Sequence, residues 1–240
     1  MTMINAYSTH WFEQFLETRP YTAQELAFVC RCLPNPPYTH ILDLCCGQGR
    51  HTNALAAAGY TMTGIDINLL ALAKAQTDAP TNVTYRQQDM RHLAQLPGDF
   101  DAIICLWQSF GYFDAQTNAQ ILQQISDKLR RNGRFILDIY NREHFSWQTR
   151  TRMAQPKGVP VTICETLADN RLTAHLTYGT DGHEETFSWQ LYTAPQIITA
   201  AAQVGLDCQL ACAFFDEETA VSPQTSSMQF LFQKNETAKR

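Results

Sequence analysis

From Ile41 to Tyr140 the chain alternates short apolar runs with stretches of helix-forming residues, and this rhythm restricts the fold more than any other feature. The runs 41–46, 61–67, 83–87, 100–107 and 134–140 have the length of strands. Residues 52–58, 69–76 and 115–131 read as helices, with a short helical piece near Leu93. Strands that are apolar along most of their length, rather than at every second residue, are buried on both faces. That requires helices above and below a parallel sheet. The expected fold class is therefore α/β with a doubly wound sheet.

The flanks extend this frame. Residues 22–33 place Leu26, Val29 and Leu33 at helical spacing, with Thr22 and Glu25 reading as a capping box and Pro34, Pro36 and Pro37 ending the helix. After Trp147 the period changes to two. Segments 161–167, 172–178 and 185–192 alternate, joined by the turn pairs Asp169-Asn170 and Asp181-Gly182. They predict an antiparallel β-insertion whose apolar face is Leu172, Ala174, Leu176, Phe187, Trp189 and Leu191. Thr193 with Gln196 caps a further helix to about Val204, and strands near 208–215 and 228–234 complete the sheet. Three regions result: an N-terminal helical segment at 1–40, a core at 41–146 and 193–240, and the insertion at 147–192, read as a lid or a dimer surface.

Composition excludes several classes. Lys plus Arg number 18 against 23 Asp plus Glu, a net charge of −5, which is the wrong sign for a dedicated nucleic-acid binder. No apolar run approaches the roughly 20 residues that cross a bilayer. No basic patch followed by an apolar stretch opens the chain, so a cytoplasmic protein is expected. The eight cysteines contain no Cys-x-x-Cys pair and read as small buried side chains in a reducing compartment, with no metal site expected. Asn82 and Asn235 then head chance glycosylation matches.

In an open parallel sheet, ligands bind beyond the carboxyl ends of the strands. Asp43-Leu-Cys-Cys-Gly47-Gln-Gly49-Arg50 lies where the first strand turns into a helix, and glycines there admit a ligand close to the backbone. Asp66 ends the second strand, where a carboxylate can accept both hydroxyls of a ribose, and Asp89-Met90 closes the third. A nicotinamide site would want a third glycine where Thr52 stands, which disfavours a dinucleotide. An amine-bearing sulfonium with no phosphate would instead use a carboxylate inside the strand, such as Asp43.

Asp43-x-x-x-Gly47-x-Gly49, Gly64-Ile-Asp66, Gln88-Asp89-Met90 and Phe100-Asp101-Ala-Ile-Ile resemble the successive motifs of class I S-adenosylmethionine-dependent methyltransferases. The segments 42–51 and 109–113 are similar to the small-molecule branch, which includes sugar N-methyltransferases and glycine N-methyltransferase-like enzymes. The resemblance implies a Rossmann-like, doubly wound, mostly parallel seven-stranded sheet carrying the insertion between its fifth strand and last helix. It implies S-adenosyl-L-methionine as cofactor. Asp43, Cys45 and the stretch Gly47, Gln48, Gly49 and Arg50 would hold its methionine part. Asp66 would bind the ribose, Ile67, Asp89 and Met90 the adenine, and the backbone at Leu106 and Trp107 would lie beside the methionine amine.

For the acceptor, the expectation is a small molecule methylated at nitrogen in preference to oxygen. Trp107, Phe110 and Tyr112 are candidate substrate contacts, with core packing as the alternative. Tyr112, Tyr140 and His144 are candidate proton acceptors, if one is used. Tyr7, His10, Trp11 and Phe12 either close over the cofactor or merely dock the terminus. Asn35-Pro-Pro-Tyr38 matches the tetrapeptide with which DNA amino-methyltransferases clamp a flipped base, but it precedes the first strand instead of ending the fourth, so it reads as a linker. No nucleic acid and no membrane partner is expected, and a homodimer would form through the insertion. The rival readings are a non-catalytic cofactor-binding module, a nucleic-acid methyltransferase and a nicotinamide oxidoreductase.

Overall fold

The computed structural model describes residues 8–15, 22–179 and 181–235. Tyr7 and the side chains of His10 and Thr22 lie outside what is described. Two short N-terminal helices, α1 (Thr9–Phe15) and α2 (Thr22–Cys32), lead into a sheet built from β1 (His40–Leu44), β2 (Thr61–Asp66), β3 (Val83–Gln87), β4 (Phe100–Cys105), β5 (Leu129–Tyr140), β10 (Leu206–Cys212) and β11 (Ser227–Lys234). Its order is β10-β11-β5-β4-β1-β2-β3. Every neighbouring pair is parallel except the two made by β11, which runs antiparallel to both β10 and β5. The strand order reverses between β1 and β4, the position at which sheets of this kind open a crevice.

The connecting helices are α3 (Arg50–Ala57), α4 (Leu69–Thr77), α5 (Ala115–Lys128) and α6 (Ala194–Gln203). Phe28, Val29 and Leu33 from the α2 region and Leu55 of α3 pack against Ile41, Ala102, Ile104 and Ile136 on one face of the sheet. Ile121, Leu122 and Ile125 of α5 and Ile197 and Ala201 of α6 pack against Leu42, Leu44, Ile103 and Phe135 on the other. The local chemistry explains the helix starts. Asn68 accepts from the backbone amides of Leu70 and Ala71, Asp114 accepts from that of Thr117, and Thr193 with Gln196 forms the expected capping box.

A second sheet, β6 (Thr149–Ala154), β7 (Val161–Ala168), β8 (Arg171–Tyr178) and β9 (Glu184–Gln190), is antiparallel throughout and falls between β5 and α6. Leu172, Ala174, Leu176, Phe187, Trp189 and the following Leu191 are all buried, as the period-two pattern required. They pack on Trp11, Phe12, Tyr112 and Phe145 of the same chain. Strand β6 is the one the sequence did not announce, because Thr149-Arg-Thr-Arg-Met-Ala offers no apolar alternation.

Two boundaries differ from expectation. Residues 129–131, expected to end α5, already pair with β4. Leu129 lies opposite Phe100, and a register shift then takes up the residues to Arg134, with Asn132 at φ 60°. The run ending at Trp107 stops pairing at Cys105, since Trp107 and Gln108 adopt left-handed φ values of 61° and 53°. The Asn35-Pro-Pro-Tyr38 segment sits between α2 and β1, and Asn35 Nδ2 donates to the Gly59 carbonyl at 3.0 Å. Tyr38 packs beside Leu33 and Ile41 under the Arg134 guanidinium, so the tetrapeptide is a packed linker.

Candidate active site

At the carboxyl end of β1 the chain reverses through Cys45, Gly47 and Gly49, whose φ values are 59°, 53° and 76°. This curl brings the Gly47 amide to 2.9 Å from Oδ2 of Asp66, while Oδ1 of Asp66 accepts from the Asn68 amide at 2.8 Å. The carboxylate at the end of β2 is thereby fixed beside the glycine turn. Gly49 serves packing: a Cβ there would fall 2.1 Å from the Tyr85 hydroxyl and 2.9 Å from Ala75. It caps α3 in the left-handed region and is not among the residues that line the cleft.

The cleft above these strand ends encloses about 940 Å³ with its mouth included. Eleven of the twelve residues expected around a cofactor line it: Asp43, Cys45, Gly47, Gln48, Arg50, Asp66, Ile67, Asp89, Met90, Leu106 and Trp107. Asp43 is 3% exposed and accepts from the Thr52 hydroxyl at 2.6 Å. Burial pushes its carboxyl up to about 6. Burial also raises Asp66, against the backbone amides that hold it. Asp89 is held low instead, because hydrogen bonds from Arg91 outweigh its burial. Trp11 and Phe12 of α1 line the same cleft, and the Phe12 ring is so close to Gly47 that an added Cβ would lie 3.0 Å from it.

Three further groups were not legible as site residues. Glu25, expected to cap α2, is buried at 3% exposure and reaches across the molecule. Its carboxylate accepts from Arg50 at 2.8 Å and from the Trp107 indole at 3.0 Å, and it meets His51 Nε2 at 2.7 Å. Burial raises its pKa, but His51 and Arg50 together outweigh that and hold it below the ordinary value. His51 itself lines the cleft. Asp138, from the interior of β5, accepts from the Trp107 amide at 2.9 Å and from Gln108 Nε2 at 2.8 Å, and Gln229 bonds its other oxygen at 2.7 Å. It holds two successive left-handed residues at the end of β4, the kind of strain that functional sites retain. Burial pushes its carboxyl up to about 6.

A second cavity opens between the β-insertion and the strand ends, and Trp11 and Trp107 line both it and the cleft. Tyr140 and His144 line this second cavity, whereas Tyr112 lines the first. Phe110 lines neither: at 2% exposure it packs with Ile121 and Leu137 in the core. The second cavity is walled by Phe145, Leu172, Ala174, Phe187 and Trp189, with Arg150, Arg152 and Glu165 as its charged members. Glu165 is 5% exposed, and nothing in the sequence marked it.

Residues 41–133 match the family described as methyltransferase domain. Among curated relatives, the putative methyltransferase YqeM of Bacillus subtilis (strain 168) is 28% identical over 109 residues, 44% of each chain, and the chain spans about half the length of the curated relatives it matches. Among solved structures, an S-adenosylmethionine-dependent methyltransferase from Clostridium acetobutylicum ATCC 824 superposes with a TM-score of 0.82 at 17% identity, covering 94% of this chain and 97% of that one. The sugar N-methyltransferase KedS8 from Streptoalloteichus sp ATCC 53650 gives 0.74 at 19% identity, covering 98% and 97%. The order of the sheet and the glycine turn with its three acids agree with that match: residues 41–133 are similar to a methyltransferase domain, and the chain shares its fold with S-adenosylmethionine-dependent methyltransferases.

Proposed function

We propose that the protein transfers a methyl group from S-adenosyl-L-methionine to a small molecule, at nitrogen. The observation that carries this reading is the Asp66 carboxylate, fixed at the end of β2 by the turn's own amide and facing the same cleft as Asp43 and Trp107. The residues fit the cofactor. Asp66 offers two oxygens to a diol, Ile67 and Met90 offer apolar walls to a base, and a deeply buried Asp43 with a raised pKa is suited to an ammonium partner. A nitrogen acceptor agrees with the likeness to a sugar N-methyltransferase.

Bound there, S-adenosylmethionine would supply an electrophilic methyl group on a sulfonium. The chain's own work is positioning and exclusion of water, which can provide much of the acceleration of a displacement. The Glu25 carboxylate and the Asp138 carboxylate hold Trp107 by its indole and its amide, at the wall common to both cavities. The acceptor would enter the second cavity and meet the methyl group past Trp11 and Trp107. Tyr140 and His144 face that cavity as candidate proton acceptors, and Tyr112 faces the cleft.

We read the insertion as a lid in preference to a dimer surface, since its apolar face is already covered by Trp11, Phe12, Tyr112 and Phe145. All eight cysteines are free thiols, which suits the reducing cytoplasm in which we place the protein. No described helix is long and apolar enough to cross a membrane. The test is methyl transfer from labelled S-adenosylmethionine to a panel of small amines. Product formation that is abolished by Asp66→Ala supports the reading. A chain that binds the cofactor tightly and turns over no acceptor would favour the non-catalytic module.

A further inference from the structure

The second cavity carries an unbalanced charge set on an otherwise apolar wall. Register places Arg150 opposite Glu165, Glu165 opposite Ala174 and Ala174 opposite Phe187, with Arg152 one step further along β6. Both guanidiniums turn to the one carboxylate: Arg150 Nη2 lies 2.6 Å from Oε2, and Arg152 Nη2 lies 3.2 Å from Oε1. Both oxygens of Glu165 are thus engaged, while Nη1 of each arginine has no partner among the described residues. Arg150 is further positioned by stacking on Trp147, 4.6 Å from its ring centre. The two guanidiniums against one carboxylate leave this charge set with one net positive charge. An independent observation points the same way. Trp189 is 5% exposed, and its indole Nε1 is buried with no hydrogen-bond partner among the described residues. A buried donor left without an acceptor is costly, and a ligand oxygen would relieve it.

We propose that the methyl acceptor is a molecule with an apolar body and one acidic group. The acid is received by Arg150 and Arg152, the body lies against Ala174, Phe187 and Phe145, and an oxygen of the ligand accepts from Trp189 Nε1. This rests on the second cavity being the acceptor site. A cationic acceptor would meet two guanidiniums and a carboxylate with both oxygens occupied, so like charge excludes it. The acceptor nitrogen is then a neutral one, such as that of an arylamine, with the acid elsewhere on the molecule. Arg152 is a specificity-determining residue in this scheme.

The test uses the full chain saturated with S-adenosylhomocysteine and titrated calorimetrically with benzoate, benzyl alcohol and benzylamine. Benzoate is expected to bind at least tenfold more tightly than the other two. Arg152→Gln is expected to weaken benzoate about tenfold and Arg152→Lys to restore most of the loss, while Trp189→Phe weakens it by a smaller factor. Unchanged affinity for S-adenosylhomocysteine in each variant establishes that it is folded. Preference for benzylamine, indifference of benzoate to Arg152→Gln, or no binding of any probe to a chain that binds S-adenosylhomocysteine would overturn the acidic acceptor alone. Failure of the wild type to bind S-adenosylhomocysteine would overturn the methyltransferase reading beneath it.

Discussion

Asp43 sits inside a strand with almost no exposure to water, and burial carries its carboxyl to about 6, as it does for Asp138. An unfolded Asp titrates near ~3.9, so the native chain binds more protons than the unfolded one between those values. The stability these two groups contribute is complete in acid, below about pH 4, and is lost as pH rises through about 6. Binding of a cation has the opposite sense, because it needs Asp43 ionised. Affinity for S-adenosylmethionine should therefore fall as pH drops below about 6, and Asp43→Asn should bind weakly with a flat profile across that range; calorimetry at several pH values reads both. Glu25 is the reverse case. Its lowered pKa means that its stabilisation is present at neutral pH and lost on acidification through its native value. Removing it takes a buried carboxylate from His51, Arg50 and the Trp107 indole at once, so Glu25→Ala should cost ~3 kcal/mol in denaturant unfolding and weaken cofactor binding through Trp107.

The elements show which parts of the molecule a sequence can announce. Strands β1, β2 and β4 and the capped helices α4 to α6 were legible because local chemistry and burial agree there: a mostly apolar run or an Asn, Asp or Thr cap says the same thing as the packing. Strand β6 was not, since its Arg150 and Arg152 are there to meet Glu165 and only the folded insertion reveals that partner. Glu25 and Asp138 escaped for the same reason, as their partners lie 82 and 31 residues away in the chain. The glycine turn was legible, but the steric demand on Gly49, against Tyr85 and Ala75, was not. Gly111 makes the analogous demand where the core meets the β-insertion. It has φ 100°, a Cβ there would lie 2.6 Å from the Gln190 carbonyl, and its own carbonyl accepts from the Gln190 amide. Gly111→Ala should cost ~2 kcal/mol, lowering Tm by roughly 4–8 °C, and should loosen the insertion more than the core. Hydrogen exchange would show the difference as faster opening of β9 than of β1.

Across the whole molecule, the two cavities and the β-insertion share their aromatic walls. The four tryptophans are Trp11, Trp107, Trp147 and Trp189, and the first two line both cavities while Trp189 lines the second. Intrinsic fluorescence should accordingly change when the cofactor binds and change again when an acceptor follows. A single change, with no second response to any bound acceptor, would separate the lid from the chemistry. The most direct measurement for the central claim is calorimetric titration of the wild type and of Asp66→Asn with S-adenosylhomocysteine and with NAD. Asp66→Asn keeps the side chain's size and an oxygen for one of the two amides, Gly47 or Asn68, while removing the charge and the second oxygen offered to a ribose. The account predicts micromolar binding of S-adenosylhomocysteine, weakened at least tenfold in Asp66→Asn, and no binding of NAD. Binding of NAD alone, or equal binding of S-adenosylhomocysteine by both proteins, would contradict it.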